Sequence, residues 1–176
     1  MKSDKFAQLT IRMHPDPVLR KHCAPVTQFG PRLHALISRM TDLMRGADGV
    51  GLAAPQVGVL ARLFVYNATG EPADAGVIIN PEFVELEGVG ELEEGCLSLP
   101  GVSVTMRRAT RAVLKSVGID GEPLEMSGED LVARVWQHEA DHLDGKLIID
   151  NMSAADEIAN RYAVKQLNRD YESVRR

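Results

Sequence analysis

From Pro31 to Gly46, apolar residues recur at Leu33, Leu36, Ile37, Met40, Leu43 and Met44, the spacing that collects on one face of an α-helix. Pro31 suits the first turn of that helix, where its missing N–H costs no helical bond. The helix should end near Gly46. Upstream, Pro15, Pro17 and Pro25 make residues 13–25 an extended or turning entry segment. The middle of the chain changes period. Arg62–Tyr66 and Val77–Ile79 are short runs rich in β-branched and aromatic residues, and 83–87 partly alternates as a half-buried strand does. Residues 102–106 and 111–119 also read as extended, with Gly118 and Gly121 marking turns. Helical spacing then returns. Leu131, Val135, His138 and His142 share one face, and Ser127 with Asp130 forms a capping box ahead of them. Ser153 and Asp156 repeat that signature, and the last helix is expected to run to about residue 170.

Strands in the middle and helices at the ends predict an α+β fold rather than alternating βαβ units. Its sheets should be mainly antiparallel and packed around the helix that carries His138 and His142, with one N-terminal and one C-terminal helix. No repeat, low-complexity tract or linker divides the sequence, and 176 residues suit one domain spanning 1–176.

Composition narrows the function classes. Apolar residues make up 44% of the chain, enough for a core. Cys23 and Cys96 are the only cysteines, which argues against a disulfide scaffold and fits a reducing compartment. The charged start, Met1 to Lys5, is followed by no signal-like apolar run, and no stretch reaches the roughly 20 apolar residues of a membrane helix. A cytosolic chain is expected. A formal charge of −5 argues against a global nucleic-acid-binding role. One local exception is a basic stripe at Arg161, Lys165 and Arg169, extended by Arg175 and Arg176, which reads first as a solvated helix face.

Chemistry concentrates in His138-Glu139-Ala140-Asp141-His142, an HExxH. On a helix, positions i and i+4 lie one above the other, so both imidazoles can reach one metal ion and Glu139 can touch a water on it. A catalytic site commonly takes three protein ligands. A downstream Glu or His is one source, although the residues after His142 lack the extended second-His motif. Cys96 is the other source. It stands in Glu94-Gly95-Cys96-Leu97-Ser98, a constrained loop setting, whereas Cys23 has no such setting and reads as structural. Gly49-Val50-Gly51-Leu52-Ala53-Ala54-Pro55-Gln56 mimics a dinucleotide fingerprint, but a helix precedes it and Pro55 blocks a helix after it. A tight loop is the better reading, with glycines that admit a ligand's backbone and Gln56 pointing an amide N–H into the site.

Together these segments resemble the peptide deformylase family. GVGLAAPQ, EGCLS and QHEADHLDG match its three motifs in order, and Pro15–Arg20 is similar to its N-terminal region; the resemblance covers roughly residues 11–170. It implies that Cys96, His138 and His142 hold a divalent metal, typically Fe²⁺, with Zn²⁺, Ni²⁺ or Co²⁺ able to replace it. It further implies that Glu139 is the catalytic acid/base and that Gln56 and the Leu97 N–H stabilise the oxyanion. The implied reaction is attack of a metal-activated water on the formyl group of N-terminal formyl-methionine in new polypeptides, releasing formate. Val50, Leu131 and Val135 are candidate walls for the methionine side chain, with Gly51 and Gly95 beside the substrate. Arg134, one turn before His138, reads as a salt-bridge or solvent-facing residue ahead of a pocket rim. For an enzyme of the bacterial cytoplasm that acts on nascent chains, the Arg161–Lys165–Arg169 stripe becomes a candidate ribosome contact.

Overall fold

The computed structural model describes residues 6–71 and 74–174; Met1–Lys5 and the Arg175–Arg176 end of the basic stripe lie outside them. The elements run α1 (Pro31–Gly46), β1 (Gly51–Ala53), β2 (Leu63–Tyr66), β3 (Gly76–Glu87), β4 (Gly90–Glu94), β5 (Val104–Arg108), β6 (Arg111–Val117), β7 (Pro123–Glu129), α2 (Asp130–Leu143) and α3 (Ala154–Val174). Five strands form one sheet in the order β1-β2-β3-β6-β7, and β4 pairs with β5 in a second. Every strand pairing is antiparallel, as expected.

Two layers of helix explain why β2 is apolar without a break. Successive residues of a strand face opposite sides. Leu63 and Val65 join a core with Leu36, Met40 and Met44 of α1. Phe64 points the other way, into a core with Ala133, Trp136 and Leu143 of α2. The helix bearing HExxH is thus clamped to the sheet, and Gly128 of β7 lies where a side chain would strike Val132 and Trp136.

The two expected strands at 77–79 and 83–87 are one strand, β3, with irregular register between Ile79 and Glu82. Asn80 sits at that break with φ of 52°, a left-handed conformation asparagine tolerates better than most residues. Its side chain there binds both the N–H and the C=O of Val26, at 2.8 and 2.9 Å, and so secures the entry segment.

Other expectations need correcting. Ser127 does not cap α2. It lies in β7 opposite Val113, and α2 starts after Glu129 with no side-chain cap. The ladder claims Ser127, and the helix start is instead fixed by Asp130 N–H to Thr110 C=O at 2.7 Å. Gly51–Ala53, expected as loop, is the edge strand β1, followed by a 3₁₀ turn at Ala54–Val57. The Ser153–Asp156 cap does form, with Ser153 N–H to Asp156 Oδ2 at 2.9 Å and Asp156 N–H to Ser153 Oγ at 3.1 Å. α3 continues to Val174 and leaves Arg161, Lys165 and Arg169 exposed. Among the described residues, no helix is long and apolar enough to cross a membrane. Cys23 is buried, which pushes its thiol up to about 11 and keeps it a neutral packing group.

Candidate active site

α2 carries His138 and His142 one turn apart, with ring centroids 5.0 Å from each other. Cys96 arrives from the loop after β4. Its Sγ is 3.4 Å from His142 Nε2, and one ligand atom from each of the three residues lies within 4.8 Å of the others. A thiolate with two imidazoles is a donor set suited to Fe²⁺ or Zn²⁺. Electrostatics agree. Burial and the positive His138 and Arg108 hold His142 well below its ordinary value, so it stays neutral, the form that ligates. Burial acts the same way on His138, but hydrogen bonds with Cys96 and Glu94 outweigh it and raise its pKa to about 10. The surroundings thus favour one positive charge between Cys96 and Glu94, a place a divalent cation fits by displacing that proton.

Behind His138 stands a buried ionic network that sequence reasoning did not find. Glu94 Oε2 is 3.0 Å from His138 Nδ1. Arg108 grips both oxygens of Glu94, Nε to Oε1 at 3.0 Å and Nη2 to Oε2 at 2.9 Å, and reaches Asp141 at 2.6 Å. Arg134 donates to Glu94 Oε1 at 2.7 Å and to the carbonyls of Met106 and Gly90. Burial would raise the Glu94 carboxyl, but His138 and Arg108 bring it down to about 2. Arg134 is therefore a salt-bridge residue, and it also reaches the cavity wall. A carboxylate behind a ligating histidine fixes tautomer and ring orientation. Glu94→Gln is expected to weaken metal affinity by about 10- to 100-fold. It should also cost about 3–5 kcal/mol of stability, because the buried Arg134 guanidinium loses its anion and Arg108 is left with Asp141. Chelator competition and thermal melts measure the two effects separately.

Glu139 is buried at 4% exposure beside the cluster. Burial pushes its carboxyl up to about 7, against the pull of His138 and Arg108. Its Oε2 has no hydrogen-bond partner among the described residues. Gly51 is bare because of Glu139: a Cβ there would overlap Oε1 of the carboxylate. At Gly49 a Cβ would come 2.6 Å from Leu97 Cδ1. The bare Cα positions of these two glycines thus also make room for the protein's own side chains. Gln56 is held by its own turn. Its Oε1 accepts the Ala53 N–H at 2.8 Å, which turns Nε2 toward Ser98 Oγ at 3.1 Å and Cys96 Sγ at 3.5 Å. Leu97 sits in the turn closed by Leu99 N–H to Cys96 C=O.

The site opens onto one cavity of about 450 Å³. Val50, Gly51, Gly95, Leu131 and Val135 all line it, as do Gln56, Cys96, Leu97, His138 and Glu139. His142 sits behind them, at 2% exposure.

Comparison with known proteins decides the family. The profile described as polypeptide deformylase matches residues 8–157. The chain belongs to the polypeptide deformylase family. It is therefore an enzyme, a hydrolase of that family. A peptide deformylase of Acidothermus cellulolyticus is 49% identical over 142 residues, covering 81% of this chain and 77% of the relative. The crystal structure of a peptide deformylase from Legionella pneumophila superposes with a TM-score of 0.86 at 43% identity, covering 92% of this chain and 95% of that one. The deformylase of Plasmodium falciparum gives 0.89 at 34% identity, covering 93% and 98%.

Proposed function

We propose that the chain removes the formyl group from the N-terminal formyl-methionine of newly synthesised polypeptides, in the bacterial cytoplasm, with Cys96, His138 and His142 holding one divalent ion. Fe²⁺ is the native choice under this reading, and Zn²⁺, Ni²⁺ or Co²⁺ can take its place. The observation that carries it is the buried Glu139 carboxyl beside a Cys/His/His cluster at the wall of an apolar cavity. The ion, when bound, would supply Lewis acidity that polarises a carbonyl and makes water a stronger acid.

The chain's own groups do the rest. With its pKa pushed up to about 7 and Oε2 without a partner among the described residues, Glu139 can take the proton of the attacking water and pass it to the leaving amine. Gln56 Nε2 and the Leu97 N–H meet negative charge on the former carbonyl oxygen, and one such donor is worth about 3–4 kcal/mol of barrier. Val50, Leu131 and Val135 offer the methionine side chain an apolar wall. Gly51 and Gly95 line the same cavity and present backbone beside the substrate. In the test, metal-loaded protein prepared without oxygen receives formyl-Met-Ala-Ser and acetyl-Met-Ala-Ser. The formyl peptide is expected to be the preferred substrate, and equal turnover of both would count against a formyl-specific site.

A second part of the proposal concerns partners. The exposed Arg161, Lys165 and Arg169 recur along one face of α3 and suit ribosomal RNA. Replacing all three by Glu should abolish cosedimentation with ribosomes at low salt, and unchanged cosedimentation would remove this part.

A further inference from the structure

One wall of the cavity, Leu99 to Val102, leads directly into β5. Among the described residues, that strand pairs with β4 along one edge only. On its other side lies α3, and the contact there is specific. Asn160 of α3 is buried at 5% exposure. Its Oδ1 accepts the N–H of Ser103 at 3.0 Å, and its Nδ2 donates to the C=O of Ser103 at 2.7 Å. A third bond, Nδ2 to the Asp156 carbonyl at 2.9 Å, ties the amide to its own helix. One side chain thus takes both backbone groups of one residue, as a neighbouring strand would. A turn earlier, the Asp156 carboxylate, held first by Ser153, also receives the Thr105 N–H.

Packing follows the same line. Leu99, Val102 and Val104 share a core with Ala163, Val164 and Leu167 of α3. Gly101, with φ of 76°, would place a Cβ 3.8 Å from that of Ala163. Asparagine is a poor interior helix former, and a buried amide is costly unless satisfied. Here the partner outside its own helix is Ser103, at the foot of the cavity wall.

We propose that Asn160 is a positioning residue for the substrate: by clasping Ser103 it sets the Pro100–Val102 wall of the cavity, so that α3 shapes the binding site without lining it. This rests on the deformylase reading. Asn160→Leu keeps the branched shape but removes all three bonds, and Asn160→Asp keeps the acceptor for the Ser103 N–H but loses the donor. With formyl-Met-Ala-Ser, Asn160→Leu should raise KM about tenfold and change kcat by less than about twofold, as expected for lost uniform binding. Metal content should not change, and amide exchange at Ser103 should quicken. Asn160→Asp should fall between wild type and Asn160→Leu. If Asn160→Leu does not fold, the same KM-against-kcat split in Asn160→Asp decides. A fall in kcat with KM unmoved would overturn the proposal, as would an unmoved KM despite faster exchange at Ser103. A wild type that releases no formate removes the deformylase reading instead, an outcome distinct from a wild type that turns over and a KM that does not respond.

Discussion

Glu139→Ala is expected to lower kcat for formyl-Met-Ala-Ser by about three to four orders of magnitude, the upper range for a positioned acid/base group, while the chain keeps its bound metal. The side chain is buried, sits against the bare face of Gly51 and has one oxygen without a partner among the described residues, so it is available for proton transfer. It is also not part of the Cys96, His138 and His142 cluster. Steady-state kinetics together with metal analysis separates the two roles; a variant that loses metal along with activity would make Glu139 a ligand.

A linked stability effect has a definite sign. In the metal-free protein the folded state keeps the Glu139 proton up to about pH 7, whereas an ordinary glutamate releases it near pH 4.5. Between those values the folded state binds more protons than the unfolded one, so stability falls as pH rises. Glu139→Gln lacks this loss. Its Tm relative to metal-free wild type should therefore improve from pH 5 to pH 8, and a constant difference would show that burial does not hold the proton.

The second large effect is expected for Cys96→Ser. A serine hydroxyl at this position is a hard, protonated donor in place of a soft thiolate, and metal affinity should fall by at least about 100-fold, beyond the range seen for outer-shell partners. Formate release should fall with it at limiting metal. Cys96 stands 3.4 Å from His142 Nε2, and Gln56 Nε2 points at its sulfur, so the substitution also disturbs the group proposed to face the developing oxyanion. An HExxH endopeptidase with a downstream third ligand would survive the change. Titration with a competing chelator, beside turnover at saturating metal, measures both consequences.

The parts of this molecule that were legible in its sequence are those whose determinants are local. The α1 face, the apolar run of β2 and the Ser153–Asp156 cap each depend on residues within a few positions of one another. β4 and β7 were not legible, since Gly90–Glu94 and Pro123–Glu129 are rich in charge or exposed and become strands only because β5 and β6 offer them a register. Ser127 misled for the same reason: its capping chemistry is local, but the ladder with Val113 claims it. At the site, HExxH places three side chains within one helical turn and could be read directly. Cys96 and Gln56 were candidates from their loop settings, and the family resemblance implied a specific role for each. The Glu94–Arg108–Asp141 network joins positions separated by 14 and 33 residues. A ligating histidine needs an orienting partner, and that need was the one available pointer to Glu94. Nothing in an exposed-looking RR pair on a strand singles out Arg108, and nothing in a helix singles out Asn160, 57 residues from the backbone it clasps.

The most direct measurement of the central claim is the product balance of one reaction. Metal-loaded protein prepared without oxygen is mixed with formyl-Met-Ala-Ser, and formate and free amino termini are counted together. Equal amounts of formate and intact Met-Ala-Ser are the predicted result. Cleavage at an internal peptide bond, or no formate from metal-loaded protein, would contradict it.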